Sequence, residues 1–206
     1  MSKPKLIGLT GYKGSGKDTV ALVLNRYGYQ RVAFADPLKA IAAVLGWNGD
    51  KAETPRCEHC GMLQGRELLQ VLGTEGVREN IRDDAWLLAA ERAISHHDLV
   101  VITDVRFPNE AEFVRAHGGE VWRVIRPGHA GDGHASETSQ KLIRADLVLN
   151  NHGSLADLED TVIWAIEAKQ ALPGAAAPAR PSQAICQTEG YGPTELDPGL
   201  SVMVNS

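Results

Sequence analysis

Short apolar runs alternate along the chain with stretches in which apolar residues recur three and four positions apart. The first pattern is typical of buried parallel strands, and the second is typical of amphipathic helices. Their alternation predicts an α/β fold, in which a parallel sheet is covered by helices on both faces. The predicted strands are residues 6–9, 31–35, 99–104, 121–125 and 146–149.

The helices predicted between these strands carry start and stop signals. Ser154 and Asp157, for example, have the spacing of a capping box before the last helix. Aspartate before proline favours a helix start, and glycine after the last apolar position favours an end. The first two predicted helices run from Val20 to Tyr27, before Gly28, and from the Asp36 cap to Gly46. A third runs from about Gly65 to an end at Gly73, and residues 74–80 form a separate turn or a short helix. Two more run from the Asp83 cap through Ile94 and from Pro108 to Gly118.

The first predicted strand runs into a glycine-rich loop with the spacing of a phosphate-binding loop. Four residues separate Gly11 from Gly16, and Lys17 follows directly. Glycine tolerates positive φ and lets backbone N–H groups approach phosphate oxygens, while the following helix adds its dipole. The lysine of such a loop reaches the β- and γ-phosphates of ATP. Strand, loop and helix together predict a P-loop NTPase core.

The residue after Lys17 departs from the common pattern. That position is usually Ser or Thr, whose hydroxyl coordinates Mg²⁺, whereas this chain has Asp18 followed by Thr19. Either Asp18 binds the cation, directly or through a water, or it is a helix N-terminal charge and Thr19 lies nearer to the metal. Asp18 and Thr19 are therefore the candidate magnesium ligands.

A second group of polar residues is predicted at the same edge of the sheet. Ligands of parallel sheets bind beyond the carboxyl ends of the strands, where Asp104 and Arg106 follow a predicted strand. Arg66 and Gln70 share one helix face. Guanidinium groups bind phosphate in a bidentate way and would offset the repulsion between ATP and a second phosphate compound. Further candidates for this role are Arg123, Arg126 and Arg144.

Composition limits the class of protein and its location. The chain has 206 residues and a formal net charge of −5, which argues against unspecific nucleic-acid binding. It has no membrane-spanning apolar run, no signal-peptide pattern and only three cysteines, so a soluble cytoplasmic protein is expected. Residues 1–172 are predicted to form one domain, and 173–206 a proline-, alanine- and glycine-rich tail that is disordered.

Several motifs together resemble the deoxynucleoside monophosphate kinases of bacteriophages. The Lys-Asp-Thr ending of the loop is typical of that family, and the likeness covers roughly residues 5–170. It implies transfer of the γ-phosphoryl group of ATP to a deoxynucleoside monophosphate with Mg²⁺, a possible homodimer, and the host cytoplasm if the protein is phage-encoded. The motifs are Thr-Gly-Tyr-Lys-Gly-Ser-Gly-Lys-Asp-Thr (10–19), Phe-Ala-Asp-Pro-Leu-Lys (34–39), Arg-Glu-Leu-Leu-Gln-Val-Leu-Gly-Thr (66–74), Thr-Asp-Val-Arg (103–106), Val-Ile-Arg-Pro-Gly (124–128) and the segment 146–158 with its Asn-Asn-His-Gly-Ser turn.

The resemblance also implies a role for each matched residue. The loop residues that would hold the ATP phosphates and Mg²⁺ are Gly11, Lys13, Gly14, Ser15, Gly16, Lys17, Asp18 and Thr19. The acceptor pocket would contain Arg66, Gln70, Gly73, Thr74 and Trp86, with Asp104, Arg106 and Glu110 on its phosphate and sugar side. The residues implied in catalysis are Lys17, Asp104, Arg106 and Arg126, the last on the donor side or in a closing segment near His134 and Glu137.

Three local questions stay open at this point. Trp86 either packs on the base or sugar of the acceptor or is a core tryptophan. Residues 127–138 are the candidate for a segment that closes and excludes water. Cys57 and Cys60 look like half of a zinc site, but no second ligand pair with suitable spacing is present, so a metal-free loop is the default.

Two other functions fit the same scaffold. One is another small-molecule kinase, such as a dephospho-coenzyme A kinase. The other is a nucleotide-dependent switch or motor, which would hydrolyse its nucleotide slowly without an acceptor. The lack of an Asn-Lys-x-Asp stretch weighs against a guanine-dependent switch, but fold alone does not decide between them. In addition, some family members have a longer insertion where this chain has only residues 47–63, so the base selectivity of those members does not carry over to this chain.

Overall fold

A computed structural model of the chain describes residues 4–49, 63, 65–128 and 139–170. Its strands are β1 (Leu6–Thr10), β2 (Gln30–Val32), β3 (Val100–Ile102), β4 (Glu120–Ile125) and β5 (Leu147–Asn150). Its helices are α1 (Lys17–Arg26), α2 (Ala35–Val44), α3 (Gly65–Gln70), a π-helical segment (Val71–Glu79), α4 (Ala85–Ile94), α5 (Pro108–Ala116) and α6 (Leu155–Gln170). The predicted tail, 173–206, lies outside the described residues.

The strands form one parallel sheet in the order β2-β3-β1-β4-β5, which confirms the predicted fold class. β1 lies at the centre, with Gly8 paired with Ile102 of β3 and with Val121 of β4. Since all strands point the same way, their carboxyl ends share one edge of the sheet. The loop after β1 and the segment after β3 are therefore neighbours.

Helices cover both faces of the sheet, because alternate residues of each buried strand point to opposite sides. On one face Ile7 and Leu9 are buried with Leu24 of α1 and Ile166 of α6. On the other face Leu6 is buried in a second apolar cluster with side chains of α4 and α5. Within the described ranges no helix is both long and apolar enough to cross a membrane.

Several predicted helix boundaries are confirmed. α5 begins at Pro108, and α6 begins after a capping box in which the Asp157 carboxylate accepts the Ser154 N–H at 2.7 Å. The Asp157 N–H in turn donates to the Ser154 hydroxyl at 3.2 Å. Leu155, at the first position of α6, is 62% exposed, whereas Leu158, Val162 and Ile166 further along the helix are buried.

Three predicted helix boundaries are wrong. α2 begins one residue before Asp36, whose carboxylate accepts the Ala33 N–H from within the first turn. Asp84 rather than Asp83 precedes α4. The helix from Gly65 does not end at Gly73 but continues as the π-helical segment to Glu79. Gly73 has a packing reason, because a Cβ there would lie 2.8 Å from Leu38 Cδ2 of α2.

Tyr29 ties the start of the sheet to the end of α1. Its fully buried hydroxyl donates to the Pro4 carbonyl at 2.7 Å. Burial, reinforced by the Glu120 carboxylate, raises the pKa of Tyr29 to about 12. Because an unfolded tyrosine ionises near pH 10, the unfolded chain releases this proton first.

We therefore expect alkaline destabilisation that depends on Tyr29. The stabilising contribution is complete below about pH 10 and is lost as the pH rises toward about 12, on the order of 1–3 kcal/mol. Urea unfolding near pH 9 and near pH 11.5 measures this loss. Tyr29→Phe, which cannot ionise, should lose clearly less stability over the same interval. Equal losses in both proteins would contradict the assignment.

Candidate active site

The loop between β1 and α1 is shaped by its glycines. Gly11, Gly14 and Gly16 have φ angles of 141°, 78° and 106°, which side-chain-bearing residues rarely adopt. At Gly11 there is also no room for a side chain, since a Cβ would overlap the Val124 carbonyl oxygen of β4. The sequence prediction of a sharply turning phosphate-binding loop therefore has the backbone geometry it requires.

Lys17 lies over this loop at the start of α1. Its ammonium group donates to the carbonyl oxygens of Gly11 at 2.6 Å and of Tyr12 at 2.8 Å. The helix start has no side-chain cap, because the preceding residue is Gly16. A cation and uncapped helix N–H groups thus meet at one end of the loop, an arrangement that suits phosphate.

The other loop residues differ in exposure. Lys13 and Gly14 are exposed, as is Asp18 in the first turn of α1, whereas Thr19 is half-buried. Ser15 is buried, and among the described residues its hydroxyl has no hydrogen-bond partner. A buried donor without a protein partner is costly, and a phosphate oxygen would satisfy it.

Asn151, which directly follows the edge strand β5, holds the loop in place. It was not predicted as a site residue. Its side-chain amide donates to the Ser15 carbonyl at 2.8 Å, and its backbone N–H donates to the Ile125 carbonyl at 2.7 Å. A Cβ on Gly16 would lie 2.5 Å from the same amide nitrogen. The only sequence signal was an asparagine directly after a buried strand at the ligand-binding edge.

Asp104, predicted as a catalytic and acceptor-site residue, follows β3 on the edge beside the loop. Its two carboxylate oxygens accept the backbone N–H groups of Phe34 at 2.8 Å and Ala35 at 3.0 Å. Asp104 thereby caps α2, which explains why that helix starts without needing Asp36 as its cap. Burial raises the pKa of Asp104, and the two backbone hydrogen bonds oppose the rise.

Glu110 is 3% exposed and joins the predicted acceptor residue Arg106 to a second arginine, Arg78. One oxygen accepts the N–H groups of Arg106 at 2.8 Å and Phe107 at 3.2 Å, and the other pairs with Arg78 at 3.0 Å. Burial raises the pKa of Glu110, while these partners favour its charged form. Sequence reasoning missed Arg78, because nothing in its local pattern separates it from a surface arginine.

The remaining predicted acceptor residues fall into two groups. Gly73 and Trp86 are buried against each other, with the indole N–H donating to the Gly73 carbonyl at 3.1 Å. The exposed group lies on α3, the π-helical segment and the end of β3, and consists of Arg66, Gln70, Thr74 and Arg106. Arg126, predicted for the donor side or a closing segment, is exposed directly after β4. The direct contacts of these residues with nucleotide remain predictions.

Two other arginines considered as phosphate ligands have different surroundings. Arg123 is half-buried and donates to the carbonyl oxygens of Gln140 and Ile143, so it fastens the chain that leads into β5. Arg144 is exposed. His134, Glu137, Cys57 and Cys60 lie outside the described residues, as does most of the proposed closing segment 127–138.

Trp86 has the surroundings of a core side chain, since only 6% of it is exposed. We expect Trp86→Phe to lower the free energy of unfolding by about 1–3 kcal/mol, because the buried Gly73 carbonyl loses its donor. Acceptor affinity should stay within about twofold of wild type if the indole does not touch the nucleotide. Denaturant unfolding and acceptor titration measure the two quantities. A large loss of affinity with unchanged stability would favour stacking on the base.

A parallel sheet in this order, with a lysine-bearing glycine loop after its central strand, is the architecture of a P-loop NTPase core. Shikimate kinase from Aquifex aeolicus has a similar fold, with a TM-score of 0.52 and 13% identity over 80% of this chain and 98% of that one. At that identity the likeness shows the fold alone. A sequence profile described as deoxynucleotide monophosphate kinase matches residues 62–162.

Relatives narrow this class further. A protein of Acanthamoeba polyphaga mimivirus, itself inferred to be a deoxynucleotide monophosphate kinase, is 34% identical over 187 residues, which cover 79% of this chain and 96% of the relative. The deoxynucleotide monophosphate kinase of Enterobacteria phage T4 is 32% identical over 99 residues, 45% of this chain and 41% of that protein. The chain belongs to the deoxynucleotide monophosphate kinase family, as its motifs predicted.

Proposed function

We propose that the chain transfers the γ-phosphoryl group of ATP to a deoxynucleoside 5′-monophosphate, which gives ADP and the deoxynucleoside diphosphate. One contact carries the proposal: the Val105 N–H donates to the Leu9 carbonyl at 3.1 Å. This bond holds the segment with Asp104 and Arg106 beside the end of β1, immediately before the phosphate loop. Two sites suited to anions therefore adjoin, and family membership supports a deoxynucleotide as the second anion.

The donor side would be formed by the loop and the start of α1. Backbone N–H groups, the Lys17 ammonium and the buried Ser15 hydroxyl are the groups that would bind the ATP phosphates. Asp18 and Thr19, in the first turn of α1, are the side chains that would hold Mg²⁺. When bound, the cation supplies charge neutralisation for the β- and γ-phosphate oxygens.

The reaction requires little from the acceptor side beyond orientation and positive charge. An oxygen of the acceptor phosphate forms a bond to the γ-phosphorus while the bond from that phosphorus to the β–γ bridging oxygen breaks. The second pKa of a phosphate monoester is about 6, so the acceptor is mostly dianionic at neutral pH and needs no general base. Asp104, whose carboxylate oxygens cap α2, would hold the acceptor side in position. Arg106 and Arg126 would stabilise charge in the transition state.

An ADP-release assay tests this function with each of the four deoxynucleoside and four ribonucleoside monophosphates. We expect at least one deoxynucleotide to raise ADP release far above the rate without acceptor. Parallel reactions with dephospho-coenzyme A and without acceptor test the two alternative functions. ATP consumption that ignores every monophosphate would overturn the proposal.

Assembly and location are further parts of the proposal. A homodimer acting in the cytoplasm, of the host if the gene is viral, is what the family resemblance implies. Light scattering of the purified full-length chain would report its mass in solution. A monomeric mass at working concentrations would exclude the homodimer and leave the chemistry untouched.

A further inference from the structure

Arg78 lies in the π-helical segment and is held from two sides. One guanidinium nitrogen, Nη2, is 3.0 Å from a carboxylate oxygen of Glu110. The guanidinium carbon lies 4.8 Å from the centre of the Phe107 ring. A planar cation stacked on an aromatic ring and paired at one edge has little rotational freedom left. Its side chain is nevertheless 23% exposed, so it is not sealed in the core.

Glu110 links this arginine to the edge of β3. Its other oxygen accepts the backbone N–H of Arg106, so the width of one carboxylate separates the Arg78 guanidinium from the Arg106 backbone. Both oxygens of this buried carboxylate are in use, which leaves it poorly suited to bind substrate directly. Its position instead brings the Arg78 guanidinium beside the backbone of Arg106, which comes from a distant part of the sequence.

We propose that Arg78 is a second guanidinium ligand of the acceptor phosphate, and that Glu110 and Phe107 are the positioning residues that aim it. This inference rests on the proposed function. A guanidinium has five N–H donors in a fork that matches phosphate, and Glu110 occupies one edge. Among the described residues Glu110 is the hydrogen-bond partner of this guanidinium, so its other edge can meet an anion. The Arg106 backbone adjoins the same carboxylate, and the Arg106 guanidinium would supply a second positive charge.

The test compares a nucleotide with its phosphate-free nucleoside. The probes are the best-accepted deoxynucleoside monophosphate, the matching deoxynucleoside and ATP, each titrated calorimetrically. The main variant combines Arg78→Met with Glu110→Gln, which removes both charges and leaves no unpaired buried ion. Arg78→Lys is the second variant, since it keeps the charge but loses the fork. Arg92→Met, at an exposed arginine of α4, is the matched control.

We expect the combined variant to bind the monophosphate about tenfold to a hundredfold more weakly, because it loses a hydrogen bond between charged groups. Its affinities for the deoxynucleoside and for ATP should change less than about twofold, and Arg78→Lys should fall between wild type and the combined variant. Thermal unfolding of each variant verifies that it is folded. Arg92→Met should match wild type in every titration.

Two results would overturn the inference. One is equal weakening for nucleotide and nucleoside, which would mean that the ion pair only supports the pocket. The other is unchanged monophosphate affinity. Either can occur while wild type still phosphorylates deoxynucleotides, so this failure is distinct from that of the proposed function. If wild type transfers phosphate to none of them, the proposed function itself fails.

Discussion

Lys17→Ala is expected to lower the rate of phosphoryl transfer by about two orders of magnitude or more, while acceptor binding stays close to wild type. Removal of a single group that stabilises developing charge typically has an effect of this size. Lys17 already lies over the loop, where its ammonium group donates to the Gly11 and Tyr12 carbonyls. In the reaction the same ammonium would move onto the β- and γ-phosphate oxygens. The measurement is the single-turnover rate at saturating ATP, with acceptor affinity determined separately.

The control for Lys17 is Lys5→Ala, at an exposed lysine just before β1. It removes the same charge from the same end of the chain but not from the loop, and it should leave the rate unchanged. Because Lys17 also bonds the loop carbonyls, Lys17→Ala could loosen the loop; ATP affinity and thermal unfolding report that effect. Near-normal turnover in Lys17→Ala would be incompatible with the proposed donor site.

Gly11→Ala is expected to weaken ATP binding and turnover by about a hundredfold, the size of effect that a displacement of about 1 Å in a reacting group produces. Two causes act together at this position. A φ of 141° is unfavourable for alanine, and the new Cβ would overlap the Val124 carbonyl oxygen. That oxygen belongs to the backbone of a central strand, so it cannot rotate away as a side chain would. The loop must therefore shift, and its N–H groups leave the positions that suit phosphate.

Gly118→Ala separates the two causes. Gly118 also has a positive φ, 72°, but a Cβ there meets nothing within 4 Å. The control should lose about 1–2 kcal/mol of stability from backbone strain and keep its activity at temperatures where it is folded. ATP titration and thermal unfolding of both variants give the comparison. If Gly11→Ala binds ATP as well as Gly118→Ala does, crowding by Val124 is not what shapes the loop.

Local sequence patterns predicted most of the fold. The five strands and their parallel arrangement follow from apolar runs alternating with helical periodicity, and the sheet confirms them. The second strand is shorter than predicted, since β2 ends at Val32 and Ala35 already belongs to α2. Errors occur where a distant residue supplies what the local pattern was expected to supply. α2 starts before Asp36 because its N–H groups are capped by Asp104, which is about seventy positions away in the chain. Gly73 was predicted to end a helix, whereas the helix continues through it and the residue packs closely against Leu38.

In the candidate site, too, the residues in a local motif were predicted from the sequence, and the residues that act on distant partners were not. The loop from Gly11 to Lys17 was identifiable because its chemistry lies in consecutive residues with fixed spacing. Asn151 and Arg78 were not identified, since each acts on a residue far away in sequence, Ser15 in one case and Glu110 in the other. Trp86 was open between core and ligand; its burial and its bond to Gly73 favour the core, and the Trp86→Phe titration tests its contact with the nucleotide.

The sequence by itself determined the class of fold and the phosphate-binding loop, because strand and helix periodicity and a contiguous glycine motif are local properties of the chain. The family followed from the joint resemblance of several motifs to its members. The tertiary structure alone decided which side chains share the edge of the sheet beside the loop and how they are held. Asp104 capping α2, Glu110 joining Arg78 to Arg106, and Asn151 supporting the loop all depend on parallel strands that bring remote segments to one edge. Burial then makes those pairings obligatory, since a buried carboxylate or amide without a partner is costly.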